Sequence, residues 1–80
     1  MTLHEIDTLR KEVKYRMIDH GLDREGSYDL IAPHLGRHMN RPVSKQQICT
    51  ALTGYRNGLP QARLLESLME LLQTWPPEAA

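Results

Sequence analysis

The sequence has no phenylalanine, one tryptophan and three tyrosines among its 80 residues, so aliphatic side chains and methionine must supply the core. Its one cysteine cannot form an internal disulfide, which fits a reducing compartment. No apolar run approaches transmembrane length, and the N-terminus lacks the apolar segment of a signal peptide. We therefore predict one small cytoplasmic domain that does not associate with membranes.

Motifs of catalysis are also missing. The chain has no glycine-rich phosphate loop, no G-x-S-x-G, no H-E-x-x-H and no C-x-x-C. His34 and His38 are spaced to face the same way on a helix, but two ligands do not complete a metal site. Cys49 has no evident activating base. We expect a protein that is not an enzyme, has no metal or cofactor, and shows no sign of a small-molecule substrate.

The middle of the chain contains no acidic residue. Residues 1–32 carry seven acids and five bases, and residues 66–80 carry three acids and no base. Residues 33–65 carry only bases, so the net charges of the three segments are −2, +5 and −3: the five bases are Arg37, Arg41, Lys45, Arg56 and Arg63. A neutral protein with one basic segment can present a positive face to a polyanion. The alternative is a chance clustering of surface charge.

Apolar residues recur at helical spacing throughout, and no segment shows the alternation of a β-strand. The sequence predicts an all-α fold, a single compact bundle of four or five helices over residues 1–75, with a short tail at 76–80. The predicted helices are about 3–20, 28–39, 45–54 and 60–75. Their inward stripes are Ile6, Leu9, Val13 and Met17; Ile31, Leu35 and Met39; and Ile48, Ala51 and Leu52.

Capping residues set these bounds. Two capping boxes, Thr2 with Glu5 and Ser44 with Gln47, predict the starts of the first and third helices. Pro33 inside the second helix predicts a kink or a late start. The remaining predicted caps are Gly21, Asn40 and Gly54 at helix ends, Ser27 at the start of the second helix, and Pro60 in the first turn of the fourth.

The fourth predicted helix carries two apolar rows. One row is Leu64, Leu68, Leu71 and Trp75, and the other is Leu65, Met69 and Leu72. Both rows could belong to the core of one chain, or one row could close a homodimer. The sequence leaves these alternatives open.

The third helix has side chains suited to reading DNA. Lys45, Gln46 and Gln47 occupy its first turn, and Thr50 lies one turn further on. Glutamine pairs with adenine, and lysine pairs with guanine, in the major groove. Ser44, Tyr55, Arg56 and Asn57 flank this helix and are of types that hold phosphates. These residues also have simpler explanations. Ser44 could serve only as a helix cap, Gln47 could be engaged in the capping box, and Lys45 could simply be solvated.

Residues 44–72, "SKQQICTALTGYRNGLPQARLLESLMELL", resemble the recognition helix, loop and next helix of lambda-repressor/Cro-type helix-turn-helix domains. The resemblance rests on the apolar Ile48 and Leu52, on Gly54, and on the Leu59-Pro60 entry to a leucine-rich helix, and it covers roughly the C-terminal half. The N-terminal half departs from the pattern, because Ala32 and Gly36 lie about six residues too early for the small residue and turn glycine of the family. The second helix, or the turn after it, is therefore expected to be longer.

The resemblance implies a compact helical bundle that binds operator DNA as a dimer. It implies base contacts from Lys45, Gln46 and Thr50. Phosphate contacts are expected from Arg41, Ser44, Tyr55, Arg56 and Asn57.

We thus expect a sequence-specific protein that binds double-stranded DNA, a small phage- or prophage-type transcriptional regulator that forms a homodimer through the fourth helix. The alternative is a protein–protein interaction module, a phage accessory or antagonist protein that uses the leucine-rich fourth helix and keeps the bundle without DNA binding. Its acidic ends and zero net charge favour that alternative.

Overall fold

Four α-helices form the fold. The structure, a computed structural model, describes residues 2–76, and all regular secondary structure in that range is helical. The helices are α1 (Leu3–Asp19), α2 (Ser27–Met39), α3 (Lys45–Thr53) and α4 (Leu59–Gln73). The predicted all-α architecture is confirmed, and each helix end falls within two residues of its predicted position. Apart from Pro76, the predicted tail lies outside the described residues. Over this range, no helix is both long and apolar enough to cross a membrane.

Both ends of α1 follow the predicted capping chemistry. The Thr2 hydroxyl accepts from the Glu5 amide at 3.2 Å, and the Glu5 carboxylate accepts from the Thr2 amide at 3.0 Å. Hydrogen bonding to Thr2, first to its backbone amide and then to its side chain, lowers the pKa of the Glu5 carboxyl. At the other end Gly21 adopts a φ of 71°, and the Leu22 amide donates to the Met17 carbonyl at 2.7 Å. This bond turns the chain back so that Leu22 joins the core.

The start of α2 differs from the prediction. Gly26, with a φ of 86°, occupies the N-cap, and Ser27 is instead the first helical residue and is buried. The left-handed conformation at this corner suits glycine and not serine. The predicted late start at Pro33 is also wrong, because α2 runs continuously through that residue. Pro33 is exposed, on the outward side of the helix.

The turn between α2 and α3 comprises residues 40–44. Asn40 adopts the predicted left-handed conformation, with a φ of 56°, and the Arg41 amide donates to the Gly36 carbonyl at 3.0 Å. Gly36 allows the turn to lie close to α2, because a Cβ there would stand 3.1 Å from the Arg41 carbonyl oxygen. The turn has five residues, one or two more than the three or four of a helix-turn-helix motif, so it supplies only part of the expected extra length.

The core lies between α4 and the other three helices. α3 and α4 each pack against every other helix, whereas α1 and α2 do not pack on each other within residues 2–76. All three predicted inward residues of α3 are buried, and on α4 both apolar rows are buried in the single chain apart from the half-buried Trp75. The larger side chains with essentially no exposure are Val13, Ile31, Leu35, Ile48, Leu52, Leu65, Leu68 and Leu72.

Candidate nucleic-acid interface

The N-terminus of α3 is built as the sequence predicts. The Ser44 hydroxyl accepts from the Gln47 amide at 3.2 Å, and the Gln47 side-chain oxygen accepts from the Ser44 amide at 3.0 Å. Gln47 is therefore engaged in capping. The backbone amides of Lys45 and Gln46 make no hydrogen bond within residues 2–76, so they are available to an anion in front of the helix.

A cleft of about 480 Å³ lies beside this helix start. It is bounded by the turn before α3, one side of α3, the loop at residues 54–58 and the start of α4. Six of the eight predicted site residues line it: Arg41, Ser44, Gln46, Thr50, Tyr55 and Arg56. Gln61 also lines the cleft, although it was not among the predicted site residues. In the sequence Gln61 indicates only the start of a helix. Its side-chain oxygen accepts from the Gly58 amide at 2.9 Å, as a helix cap does.

The charge in this cleft is uniformly positive. Its lining contains two arginines, Arg41 and Arg56, and no aspartate or glutamate. Both arginines are exposed, and neither makes an ion pair or a side-chain hydrogen bond within the described residues. Tyr55, between the α3 terminus and Arg56, is 85% exposed and projects a phenol from the loop. The acid-free segment of the sequence thus becomes an acid-free concave surface.

Two predicted site residues lie away from this cleft. Lys45 faces the other side of α3, where its Nζ stands 3.8 Å from Asp29 Oδ2, and both side chains remain 66% exposed. An ion pair this exposed contributes little to stability, so it leaves the lysine able to exchange partners. Asn57 faces the protein: its amide nitrogen donates to the Gly54 carbonyl at 3.1 Å, and its side-chain oxygen accepts from Arg10.

Arg10 of α1 fixes the loop that carries Tyr55 and Arg56. Its side chain is 9% exposed, which makes it a rare buried charge in this small protein. The Nε donates to the Ala51 carbonyl at 2.8 Å, one Nη donates to Asp7 at 2.5 Å, and the other donates to Asn57. We call this set of contacts the Arg10 clamp. It joins the first helix to the end of α3 and to the loop at residues 54–58.

His34 and His38, which are four residues apart on α2, have separate partners. His34 Nδ1 accepts from the Arg37 guanidinium at 2.7 Å, and the His34 ring meets the Trp75 ring edge-on, with ring centroids 5.4 Å apart. His38 instead lies 3.3 Å from Glu70 of α4. Within residues 2–76 no group of three or more histidine, cysteine, aspartate or glutamate side chains is arranged to hold a metal ion.

Comparison with known proteins adds no relative: the chain matches no protein-family model, and no curated protein or solved structure is significantly similar to it. Its function must therefore be argued from the surface just described.

Proposed function

We propose that this protein binds double-stranded DNA in a sequence-specific way, as a small phage- or prophage-type transcriptional regulator in the cytoplasm. The observation that carries the proposal is the convergence of six predicted contact residues on one acid-free cleft at the N-terminus of α3. In this proposal α2, the five-residue turn and α3 act as a lambda-repressor-like helix-turn-helix.

The proposed DNA contacts form two groups, contacts to phosphates and contacts to base edges. Arg41, in the turn before α3, and Arg56, in the loop at residues 54–58, both line the cleft. There they would hold phosphates together with Ser44, Tyr55 and the open amides of α3. The long turn supports this role, because it carries Arg41 to the start of the helix. Gln46 and Lys45 would reach base edges from the first turn, and Thr50 from the second. Thr50 donates its hydroxyl to the Gln46 carbonyl at 2.9 Å, so its methyl group and the acceptor side of its hydroxyl are left to meet a base.

The proposed homodimer needs a different surface from the one that the apolar rows suggested. Those rows are buried within one chain. A pairing through α4 would therefore use its exposed residues, which are Leu59 and Pro60 in the first turn and Arg63, Glu66, Glu70 and Gln73 beyond it. The protein-interaction alternative loses the same leucine-rich surface. Its remaining support is the acidic ends and the zero net charge of the chain.

Salt titration tests the phosphate contacts. We expect binding to a random duplex, measured by fluorescence anisotropy, to weaken steeply with salt because neutralised phosphates release counterions. Arg41→Ala and Arg56→Ala should each weaken binding to all sequences and reduce the salt slope by about 1. Arg16→Ala is the matched control, since it removes an exposed arginine of α1 that neither lines the cleft nor lies on α4.

Base reading is tested separately, on a duplex selected from a random pool. Lys45→Ala combined with Gln46→Ala should abolish the preference for the selected duplex while the helical circular dichroism is unchanged. Retained preference would remove the base-reading assignment. The whole proposal fails if no duplex binds at low salt, or if Arg16→Ala weakens binding as much as Arg56→Ala does.

A further inference from the structure

A second concave surface lies on the other side of α3. This apolar groove, about 710 Å³ in volume, runs between the end of α1, the α1–α2 connection, the start of α2 and α3. Its floor is formed by Met17, Leu22 and Leu52, and its walls by Ile18, Tyr28 and Cys49. Sites for small molecules have this size and this mainly apolar lining, with a few polar groups that orient the ligand.

The charges around the groove balance. Three of its lining residues are cationic and three are anionic: Lys14, Arg24 and Lys45 against Asp23, Glu25 and Asp29. One pair, Lys45 with Asp29, already interacts at 3.8 Å. A ligand with a large net charge of either sign would gain no net attraction here, so charge complementarity favours an uncharged one.

The walls offer one free polar group of the right kind. Tyr28 is half-buried, and its hydroxyl makes no hydrogen bond within residues 2–76. Burial, and then the nearby Cys49 thiol, raise the pKa of Tyr28 above its ordinary value of 10.0, so the phenol stays protonated at neutral pH. It can donate one hydrogen bond to a carbonyl, ether or hydroxyl oxygen on an otherwise apolar molecule.

A protein partner fits the groove less well. Of the six exposed large hydrophobic residues in the described chain, only Ile18 lines the groove. The surroundings are charged, whereas a stable protein interface buries about 800 Å² on each side with an apolar centre. The apolar surface here is concentrated inside a concavity, where a small molecule can bury most of its own surface.

We propose that the apolar groove binds a small, uncharged, mainly apolar molecule, and that its occupancy opposes DNA binding. The claim that occupancy opposes DNA binding rests on the proposed function. The claim that the groove binds a ligand does not. α3 supplies Lys45, Gln46, Cys49 and Leu52 to the groove, and Gln46 borders both the groove and the DNA-binding cleft. A ligand seated against Lys45 and Gln46 would occupy side chains that the DNA proposal needs.

The coupling must act in both directions. If the ligand weakens DNA affinity by some factor, DNA weakens ligand affinity by the same factor. We expect that factor to be at least about fivefold, at the lower end of usual coupling between sites.

The test uses N-phenyl-1-naphthylamine, an uncharged apolar dye whose fluorescence rises in apolar sites. We expect saturable binding of one dye per chain, and slower labelling of Cys49, the only cysteine, by a maleimide when the dye is present. Cys49→Phe should abolish saturable binding by filling the groove. Thr53→Phe is the matched control, because it adds the same ring at an exposed position of α3 that does not line the groove.

The outcomes separate the two proposals. Dye binding that Cys49→Phe leaves intact, or that is not saturable, overturns the ligand site. A free dimer that Cys49→Phe dissociates also overturns it, in favour of a second copy in the groove. Saturable dye binding without any effect on DNA affinity overturns the antagonism alone. Saturable dye binding by a protein that binds no DNA supports the ligand site, and overturns the proposed function and the antagonism with it.

Discussion

At the scale of single residues, spacing along the chain decides what sequence alone can predict. The Ser44–Gln47 and Thr2–Glu5 pairs are three residues apart, so helical geometry brings them together in any fold. Arg10 and Asn57 are 47 residues apart, and nothing around either residue indicates their contact. Because the sequence does not indicate this contact, Asn57 was predicted to hold a phosphate. In the structure its side-chain oxygen instead accepts from Arg10.

The Arg10 clamp gives a prediction about stability. Arg10→Met keeps much of the apolar stem but leaves the Ala51 carbonyl and the Asn57 side chain without their charged donor. We expect a loss of about 2 kcal/mol in the free energy of unfolding, measured by urea denaturation. Lys11→Met, on the exposed side of α1, should change it by less than about 0.5 kcal/mol. Equal stability of the two variants would contradict a structural role for the clamp.

At the scale of helices, capping residues made the helix bounds predictable from the sequence. The prediction was less accurate where the backbone takes a positive φ. The serine at position 27 resembles an N-cap in sequence, but the positive φ of Gly26 puts the cap one residue earlier. For α4, periodicity identified both apolar rows without saying what covers them. The reason is that a row of leucines looks the same whether it meets its own chain or another. Packing of α4 against all three other helices covers both rows.

The burial of α4 can be tested by a cavity. Leu68→Ala removes a fully buried side chain and should lower the free energy of unfolding by about 2–5 kcal/mol. Glu66→Ala, exposed on the same helix, should cost less than about 0.5 kcal/mol. The urea midpoint of the unsubstituted protein should not move on dilution, because the row is covered within one chain. A midpoint that falls on dilution would indicate that copies of the chain stabilise each other.

At the scale of the whole molecule, the sequence predicted the distribution of charge but not the shape of the surface. The acid-free segment predicted a positive surface, and six of eight chosen residues do line one cleft. The apolar groove on the other side of α3 was not predictable, since its lining comes from separate segments that look like ordinary core and loop. Concavity depends on how the helices are arranged, which periodicity does not specify.

Oligomeric state gives the prediction at this scale. Beyond Leu59 and Pro60 in the first turn, the exposed residues of α4 are polar, and polar surfaces rarely form stable dimers on their own. We therefore expect a monomer in free solution at micromolar concentration, and two copies on a palindromic duplex that holds them close. Sedimentation velocity, with and without the duplex, measures both. A dimer in the absence of DNA, or one copy on the palindrome, would contradict this expectation.

The Arg10 clamp also determines how the loop at residues 54–58 can be cut. Exposed loop tips are the usual sites of protease nicking, and this one offers Tyr55 and Arg56 to the solvent. A protease needs the loop drawn out into an extended strand, and the clamp resists that as long as α1 stays docked. Trypsin cleavage after Arg56 would therefore report the detachment of a helix near the opposite end of the sequence.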